Sequence, residues 1–308
     1  MYDVVIIGGG PAGAAAAVYA ARKRLKSVLV TDEWGGQSTV SPDVQNWIGT
    51  PHISGPGIAE QLKKHVAAYA NEVLDIVEPD RVVAVEAREE SFVVKTEKGQ
   101  AFKTRTVLVT SGSRRRKLKV PGAEEFDNKG ISYCASCDAP LFGDKDVAVI
   151  GGGNAGFESA QQLLEYATSV TLLERGEAFK ADELTIEKVL KSEKMKALTG
   201  VEVKEIKGSA FVESVVYATS DGQEHEQKVG GVFVEIGSLP NSEFIKDLVE
   251  RNEMGEIKAN PYTQRTSREG IWAAGDVSDV RYKQNNISMG DAVKALEDIY
   301  LYVQKHHR

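Results

Sequence analysis

A short pattern that occurs twice constrains the fold of this 308-residue chain more than any other feature. Each copy has a run of apolar and β-branched residues, then the spacing G-x-G-x-x-G, then a stretch of helix-forming residues. The first copy occupies residues 3–22 and the second occupies residues 146–166. A buried strand, a tight turn and a helix in this order begin a Rossmann-like βαβ unit. The repeat therefore predicts an α/β fold that contains two such units.

The glycines of each copy have specific physical tasks. The first permits a tight turn, the second lets the backbone approach a pyrophosphate, and the third lets helix and strand pack closely. The helix N-terminus then offers N–H groups and a positive dipole end to the phosphates. Two copies in this context predict two dinucleotide sites. The candidate residues are Gly8, Gly10, Pro11, Ala12 and Gly13 in the first copy, and Gly151, Gly153, Asn154, Ala155 and Gly156 in the second.

An acidic residue is expected about 20 residues after the start of each motif, at the end of the next strand, where it binds a ribose hydroxyl. Asp32 follows the apolar run at residues 27–31, and Glu174 follows the run at residues 169–173. Both expected positions are therefore filled. The alternative for either residue is a solvated loop carboxylate, and Glu33 competes with Asp32 at the first site.

The chain has only two cysteines, Cys134 and Cys137, which form a single C-x-x-C sequence. In a large cytosolic protein, this spacing indicates a redox-active pair of cysteines. Two inert thiols are the alternative. A zinc site would need four ligands, and none of the five histidines lies at finger-like spacing from the cysteines.

Charge and hydropathy narrow the class of partner. Lys plus Arg number 38 and Asp plus Glu number 45, so the net charge is -7. This argues against a nucleic-acid-binding protein, whose surface would be basic. Apolar runs are shorter than the roughly 18 residues that suggest a membrane span, and the chain start lacks the basic segment of a signal peptide. We therefore expect a cytoplasmic protein without a nucleic-acid or membrane partner.

Five motifs in a fixed order carry a resemblance to a known family: the two glycine motifs, Gly35-Gly36-Gln37, Cys134-Ala135-Ser136-Cys137-Asp138 and Ala273-Ala274-Gly275-Asp276. Over essentially its whole length, the chain resembles the low-molecular-weight thioredoxin reductases. Within them it is most similar to the flavoprotein part of the alkyl hydroperoxide reductase flavoprotein subunit. That subunit also carries an N-terminal thioredoxin-like domain. This chain begins at the first glycine strand, so we expect its electrons to pass to a separate protein.

The resemblance implies the domain organisation. The first glycine motif would bind FAD and the second a nicotinamide dinucleotide, in domains of the three-layer ββα type. The FAD domain would be discontinuous, with residues 1–115 and 241–308 on either side of an inserted NAD(P) domain, residues 116–240, that carries the C-x-x-C. Family members are homodimers. We interpret the basic run at residues 114–117 as a solvated connector between domains, with partner docking as the alternative, and expect a terminal helix at residues 292–304.

The resemblance also implies further FAD contacts beyond the first glycine motif and Asp32. Asp276 would bind the ribitol chain of FAD, and the alternative for Gly275-Asp276 is a simple turn. The complete additional set is Gly36, Gln37, Asn46, Gly112, Gly275, Asp276, Lys283 and Gln284.

The choice between NADH and NADPH depends on residues 174–180. Thioredoxin reductases that use NADPH have a His-Arg-Arg-x-x-x-Arg cluster there, which holds the 2′-phosphate. This chain has Glu174, which would accept a hydrogen bond from a 2′-hydroxyl and repel a 2′-phosphate. Arg175 and Lys180 would compensate in part. The resemblance therefore implies NADH or NADPH as donor, and Glu174 favours NADH.

The implied electron path runs from NADH through FAD to a Cys134–Cys137 disulfide. From there it would reach a thioredoxin- or glutaredoxin-like protein disulfide, and that protein could in turn reduce a peroxiredoxin. By resemblance, Cys137 is the sulfur next to the flavin, Cys134 attacks the partner, and Asp138 is the general acid–base. The alternative for Asp138 is a helix-capping or turn residue.

Two departures from the family pattern leave other functions open. Ala139 replaces the usual glycine, and Asn285-Asn286 stands where the family has an alanine- or isoleucine-rich run. The asparagines keep open a different electron donor. A dithiol oxidase that uses oxygen is a second alternative, although the intact second glycine motif and Glu174 argue against it. A flavin-bound redox sensor is the non-enzymatic alternative, but a sensor does not need two dinucleotide sites.

Overall fold

The computed structural model describes residues 1–41, 43–70 and 73–307, with only the backbone of His307. The strands, in chain order, are β1 (Tyr2–Gly9), β2 (Ser27–Trp34), β3 (Leu74–Val77), β4 (Val82–Ala87), β5 (Phe92–Thr96), β6 (Ala101–Val109), β7 (Ser113–Arg115), β8 (Ile131–Ser132), β9 (Asp146–Ile150), β10 (Ser169–Leu173), β11 (Met195–Leu198), β12 (Glu202–Gly208), β13 (Val212–Ala218), β14 (Glu224–Lys228), β15 (Gly231–Val234), β16 (Ser238–Pro240) and β17 (Ile271–Ala273). The α-helices are α1 (Pro11–Arg22), α2 (Gly55–Ala67), α3 (Ala135–Asp138), α4 (Asn154–Leu163), α5 (Glu183–Leu190) and α6 (Asn285–His307). Among the described helices, none is both long and apolar enough to cross a membrane.

The chain divides into two compact units. Unit 1 consists of residues 1–42, 47–114 and 239–308, and unit 2 consists of residues 43–46 and 115–238. Most of unit 2 is therefore an insertion in unit 1. Each unit has its own sheet with parallel strands, which confirms the predicted α/β class with two Rossmann-like units.

The sheet of unit 1 has the order β3-β2-β1-β6-β5-β4, and β17 also pairs with β6. Strands β1, β2, β3, β6 and β17 are parallel, whereas β4 and β5 form the antiparallel part. The apolar residues Val4 to Ile7 of β1 are all buried. This is expected of a parallel strand that is covered on both faces.

Two helices of unit 1 pack against each other, α1 and α6. Most residues of the alanine-rich α1 are buried, and their small side chains permit close contact. Helix α6 buries the apolar residues that recur at helical spacing: Ala292, Ala295, Leu296, Ile299 and Val303. The predicted terminal helix is confirmed, but it begins seven residues earlier than residue 292. The reason is that its first two turns are mostly polar and lack the apolar period.

The main sheet of unit 2 is entirely parallel, with the order β11-β10-β9-β15-β8. Strands β12, β13 and β14 form a separate antiparallel sheet. The strand order reverses at β9, since the chain continues to β10 on one side and β15 lies on the other. Such a switch point opens a crevice at the carboxyl ends of the strands, where α/β proteins bind ligands. The second glycine motif follows β9 and therefore lies at this switch point.

Candidate nucleotide sites and disulfide centre

The first glycine motif forms the turn between β1 and α1. Gly8 has a φ of +111°, and a Cβ there would lie 2.5 Å from the carbonyl oxygen of Thr110, so this turn requires glycine. Around Gly10, no described atom lies within 4 Å of an added Cβ. Helix α1 starts at Pro11 without a side-chain cap in the described structure. The open backbone and the uncapped helix end fit a bound pyrophosphate.

A matched pair of alanine substitutions tests this geometry. A Cβ on Gly13 would lie 1.7 Å from the carbonyl oxygen of Gly8, whereas one on Gly10 meets open space. We expect Gly13→Ala to lower the free energy of unfolding by about 2 kcal/mol, since overpacking a tight contact destabilises the fold. Gly10→Ala should change it by less than about 0.5 kcal/mol. Urea denaturation of the ligand-free proteins, followed by far-UV circular dichroism, measures both, and equal stabilities would contradict the expectation.

Two other predicted segments lie against this turn. A Cβ on Gly36 would be 3.8 Å from the Cα of Gly10, and a Cβ on Gly275 would be 3.3 Å from the Cβ of Ala12. Gly275 has a φ of +76°, and the next residue, Asp276, is half-buried. The structure therefore brings together three candidate segments that are far apart in the sequence.

Hydrogen bonds fix the loop that carries Asp276. The Ser288 hydroxyl donates to Oδ1 of Asp276 at 3.2 Å. Lys283 Nζ donates to the carbonyl oxygens of Ser278 at 2.5 Å and Asp276 at 3.3 Å, and it forms an ion pair with Glu256 at 2.9 Å. Because an ammonium group has three donors, these contacts account for all of them. In this structure Lys283 therefore stabilises the loop that carries Asp276.

Four other predicted FAD residues differ from one another in their exposure, their contacts and the unit to which they belong. Asp32 is exposed near the end of β2, and Gln37 Nε2 donates to the carbonyl and hydroxyl oxygens of Ser113. Gly112 has a φ of +64° and, among the described residues, no atom within 4 Å of an added Cβ. Asn46 lies in the short segment 43–46 of unit 2, so it is not part of unit 1.

The start of α6 is tied to the segment that follows Gly36. The Ser38 hydroxyl donates to Oδ1 of Asn285 at 3.0 Å. The carbonyl oxygen of Gln284, another predicted FAD residue, accepts the N–H of Ser288 at 2.9 Å. The asparagine that departs from the family pattern therefore fixes the first turn of this helix.

The second glycine motif repeats the geometry of the first. Gly151 has a φ of +119°, and a Cβ there would lie 2.4 Å from the carbonyl oxygen of Glu235. A Cβ on Gly156 would lie 1.8 Å from the carbonyl oxygen of Gly151, whereas the surroundings of Gly153 are open within 4 Å as far as the structure describes them. In both turns, therefore, the first and third glycines leave no room for a Cβ, whereas the second glycine has open space around it.

Glu174 follows β10 directly and holds the second glycine turn. Its Oε2 accepts the N–H of Gly152 and its Oε1 accepts the N–H of Gly176, both at 2.6 Å. The N–H of Lys180 donates to the carbonyl oxygen of Gly152 at 2.9 Å, and Arg175 is exposed. A carboxylate has about four lone-pair positions, so these two hydrogen bonds leave capacity for a ribose hydroxyl.

The first residues of α4 are exposed and linked to the next segment. Asn154 and Ala155 are both exposed, and Oδ1 of Asn154 accepts the N–H of Asp182 at 2.8 Å. The carboxylate of Asp182 in turn caps α5, where it accepts from Leu184 at 3.1 Å and Thr185 at 3.3 Å. These contacts fix the loop between β10 and α5 beside the start of α4.

The two cysteines form a disulfide in unit 2. The Cα atoms of Cys134 and Cys137 are 5.3 Å apart. Cys134 directly precedes the one-turn helix α3, which contains Cys137. The N–H groups of Cys137 and Asp138 donate to the carbonyl oxygen of Cys134 at 3.2 and 3.0 Å. This turn keeps both sulfur atoms within bonding distance.

Asp138 is a half-buried acid beside this disulfide. Ser132 links the two, because its hydroxyl donates to Oδ2 of Asp138 at 2.6 Å and accepts the N–H of Cys134 at 3.1 Å. Oδ1 of Asp138 is buried and has no hydrogen-bond partner among the described residues. Burial raises the pKa of Asp138, although the bond from Ser132 lowers it in part. The carboxylate thus contacts Ser132 rather than capping a helix, and a carboxyl of this kind is suited to proton transfer.

A second buried acid, Glu235, follows β15, and nothing in the sequence pattern singled it out. The Ser159 hydroxyl donates to its Oε1 at 2.7 Å, and an Arg115 nitrogen lies 3.8 Å from its Oε2. The side chains of Glu235 and Arg115 are 6% and 31% exposed. Arg115 is therefore partly exposed, whereas Arg114, Arg116 and Lys117 are exposed, which agrees with a largely solvated run.

Comparison with known proteins identifies the family of this chain. A family model described as pyridine nucleotide-disulphide oxidoreductase matches residues 2–292. The chain belongs to this family. It is 39% identical over 303 residues to a protein named NADH dehydrogenase from Bacillus subtilis (strain 168), and the match covers 98% of this chain and 58% of that protein. It is 38% identical over 303 residues to a subunit of alkyl hydroperoxide reductase in Staphylococcus aureus (strain Mu50 / ATCC 700699), at 98% and 59% coverage. The chain therefore spans less than two thirds of these oxidoreductases.

Two solved structures of thioredoxin reductases share the fold of this chain over almost the full length of both proteins. The thioredoxin reductase from Streptococcus pyogenes MGAS5005 has a TM-score of 0.88 and 33% identity, with 99% of both chains covered. The one from Giardia duodenalis has a TM-score of 0.91 and 29% identity, with 98% of this chain and 99% of that chain covered. The predicted resemblance to the thioredoxin reductases is confirmed.

Proposed function

We propose that this chain is an FAD-dependent disulfide reductase that passes electrons from NADH to the disulfide of a thioredoxin- or glutaredoxin-like protein. The observation that carries the proposal is the disulfide beside Asp138, whose Oδ1 atom is buried, in the same unit as an open glycine turn. A nucleotide-binding turn alone is common, but together with an internal disulfide and a proton-transfer group it forms a redox site.

The first glycine turn and the segments around it fit FAD. The open backbone at Gly10 and the uncapped start of α1 suit its pyrophosphate. When bound, FAD supplies the two-electron chemistry between a nicotinamide and a disulfide. In this proposal Lys283 acts by holding the loop of Asp276. The FAD residues are Gly8, Gly10, Pro11, Ala12, Gly13, Asp32, Gly36, Gln37, Asn46, Gly112, Gly275, Asp276, Lys283 and Gln284.

The second glycine turn would bind the nicotinamide dinucleotide. Glu174 remains able to accept a hydrogen bond from a ribose 2′-hydroxyl, and its charge disfavours the 2′-phosphate of NADPH. The relative named NADH dehydrogenase supports NADH as donor. Arg175 and Lys180 would assist at the adenosine end. The glycine-turn residues at this site are Gly151, Gly153, Asn154, Ala155 and Gly156.

The two cysteines would carry the electrons out of the chain. In the dithiol form, a Cys134 thiolate attacks the partner's disulfide and displaces one of its sulfurs. Cys137 then attacks Cys134, which restores the chain's disulfide and releases the partner as a dithiol. Asp138 exchanges protons with the sulfurs during these steps. The partner gains two electrons and two protons, and the chain's dithiol loses the same number.

The assembly and setting of the protein form part of the proposal. We infer a cytoplasmic homodimer that acts on another protein rather than on nucleic acid or a membrane. The relative that is a subunit of alkyl hydroperoxide reductase supports a partner that in turn reduces a peroxiredoxin. A different electron donor, or oxygen as the acceptor of a dithiol oxidase, would appear as another outcome of the test below.

An anaerobic titration of the purified yellow protein tests the proposal. We expect a near-stoichiometric amount of NADH to bleach the visible absorbance of the flavin, and NADPH to do so only in large excess. The reason is the charge of Glu174 at the ribose. Bleaching by neither nucleotide, while dithionite still reduces the flavin, would contradict NADH as donor and favour one of the two alternatives.

A further inference from the structure

Glu235 lies at the switch point of the sheet in unit 2. Strands β9 and β15 are adjacent and parallel, so their carboxyl ends meet at the same edge. The N–H of Glu235 donates to the carbonyl oxygen of Ile150 at 2.8 Å, and the Glu235 carbonyl oxygen closely faces Gly151. Glu235 and the second glycine turn are therefore direct neighbours at the crevice where an α/β sheet binds its ligand.

The carboxylate of Glu235 is buried without a full set of partners. Its side chain is 6% exposed, and burying a charge is costly unless hydrogen bonds or an opposite charge offset it. Within the described residues, its hydrogen bond comes from Ser159, while Arg115 at 3.8 Å is too distant for a second one. Burial raises the pKa of Glu235, against the effects of Arg115 and Ser159, and nearby Glu158 raises it further. The carboxylate therefore retains unused acceptor capacity.

Glu174 and Glu235 lie on opposite sides of the second glycine turn. Glu174 follows β10, the turn follows β9, and Glu235 follows β15, which is the order of these strands in the sheet. Adjacent strands are about 4.8 Å apart, so the two acids lie about two strand spacings apart along this edge. A dinucleotide likewise has a nucleoside on each side of its pyrophosphate. With the pyrophosphate at the turn and the adenosine ribose at Glu174, the other nucleoside extends towards Glu235.

We propose that Glu235 is a further binding residue of this site and accepts a hydrogen bond from the nicotinamide nucleoside of the dinucleotide. A carboxylate only accepts, and this nucleoside offers suitable donors in its ribose hydroxyls and its carboxamide group. Arg115 offsets the charge of the buried acid, and Ser159 orients it. This inference rests on the proposed function, because it concerns the same dinucleotide.

Comparing two ligands separates this role from a general effect on the site. NAD⁺ contains both nucleosides, whereas ADP lacks the whole nicotinamide nucleoside. We expect Glu235→Gln to weaken NAD⁺ binding about tenfold, because a neutral amide is a weaker acceptor than a carboxylate, and to leave ADP binding within about twofold. Isothermal titration calorimetry of the FAD-containing protein measures both affinities without turnover.

Two further substitutions serve as matched controls. Glu174→Gln makes the same chemical change on the other side of the turn and should weaken both ligands. Glu224→Gln changes an exposed residue of β14 and should affect neither. If Glu235→Gln does not fold, Glu235→Asp keeps the charge but shortens the side chain, and it should weaken NAD⁺ alone.

The outcomes distinguish this inference from the proposed function. Selective loss of NAD⁺ affinity in the Glu235 variant supports it. Unchanged affinities, or equal losses for both ligands, overturn the role of Glu235 and leave the proposed function intact. If the unaltered protein binds neither ligand, the nicotinamide donor and the role of Glu235 are both overturned.

Discussion

Replacing Cys137 by serine is expected to abolish disulfide turnover but not the reduction of the flavin by NADH. The chain has only two cysteines, and they are bonded to each other, so no third thiol can replace the lost sulfur. A single thiol can form a mixed disulfide with the partner but cannot resolve it. We expect the steady-state rate to fall at least about 10³-fold, as when one member of a catalytic unit is removed.

Two measurements on the same protein test this expectation. NADH-driven reduction of a small aromatic disulfide reports turnover, and anaerobic bleaching of the flavin absorbance reports the first half of the reaction. Ser136→Ala is the matched control, because Ser136 lies between the cysteines and its exposed hydroxyl donates to Gln162 rather than to a sulfur atom. Normal turnover by Cys137→Ser would refute the proposed redox role of the pair. Loss of flavin reduction would show that the substitution damages more than the disulfide.

The parts of the fold that sequence alone predicts are those with a local pattern. The strand, glycine turn and helix of each unit lie within about 20 consecutive residues, and the first and third glycines of each motif are required by contacts inside that motif or with the segment after a neighbouring strand. A Cβ on Gly8, for example, would collide with Thr110 in the segment after β6. The spacing from Gly8 to Gly13 is nevertheless enough to identify the turn. Local spacing was therefore sufficient to predict two parallel-strand units.

The start of α6 shows where local pattern fails. Its first turns are polar and are fixed by the Ser38 hydroxyl, which is 247 residues away from Asn285, and by the contact between Ser288 and Asp276. No periodicity within residues 285–291 reveals these partners. The helix boundary is set by tertiary contacts that a single sequence does not contain.

In the candidate site, too, local spacing identifies some residues, and only tertiary contacts identify the others. The C-x-x-C spacing identifies the cysteines, and the distance from the glycine motif identifies Glu174. The contacts of Ser132 and Glu235 have no such signal, because they depend on which strands are neighbours in the sheet. The sequence signal that could have indicated Glu235 is its position directly after an apolar run, which is also the position of Glu174.

Replacing Asp138 by asparagine should slow disulfide reduction about 10² to 10⁴-fold, the usual contribution of general acid–base catalysis. Asparagine has nearly the same shape and can still accept the hydrogen bond from Ser132, but it cannot exchange a proton. Because burial raises the pKa of Asp138, its carboxyl stays protonated to higher pH than an exposed aspartate. A step that needs it as an acid should therefore slow as the pH rises through this raised pKa. The rate of the asparagine variant should not show this decline.

Stability measured over the same pH range separates this catalytic role from a structural one. A carboxyl whose pKa is raised by folding contributes stability below its unfolded pKa, and that contribution is lost as the pH rises through the folded pKa. Asparagine removes this dependence and leaves no buried charge beside the disulfide. We therefore expect Asp138→Asn to be at least as stable as the unaltered protein above neutral pH, despite its slow turnover. Urea denaturation at several pH values, compared with single-turnover reduction of a disulfide, tests the pair of expectations. A variant that loses stability and activity together would mean that Asp138 supports the fold of the C-x-x-C turn rather than moving its protons.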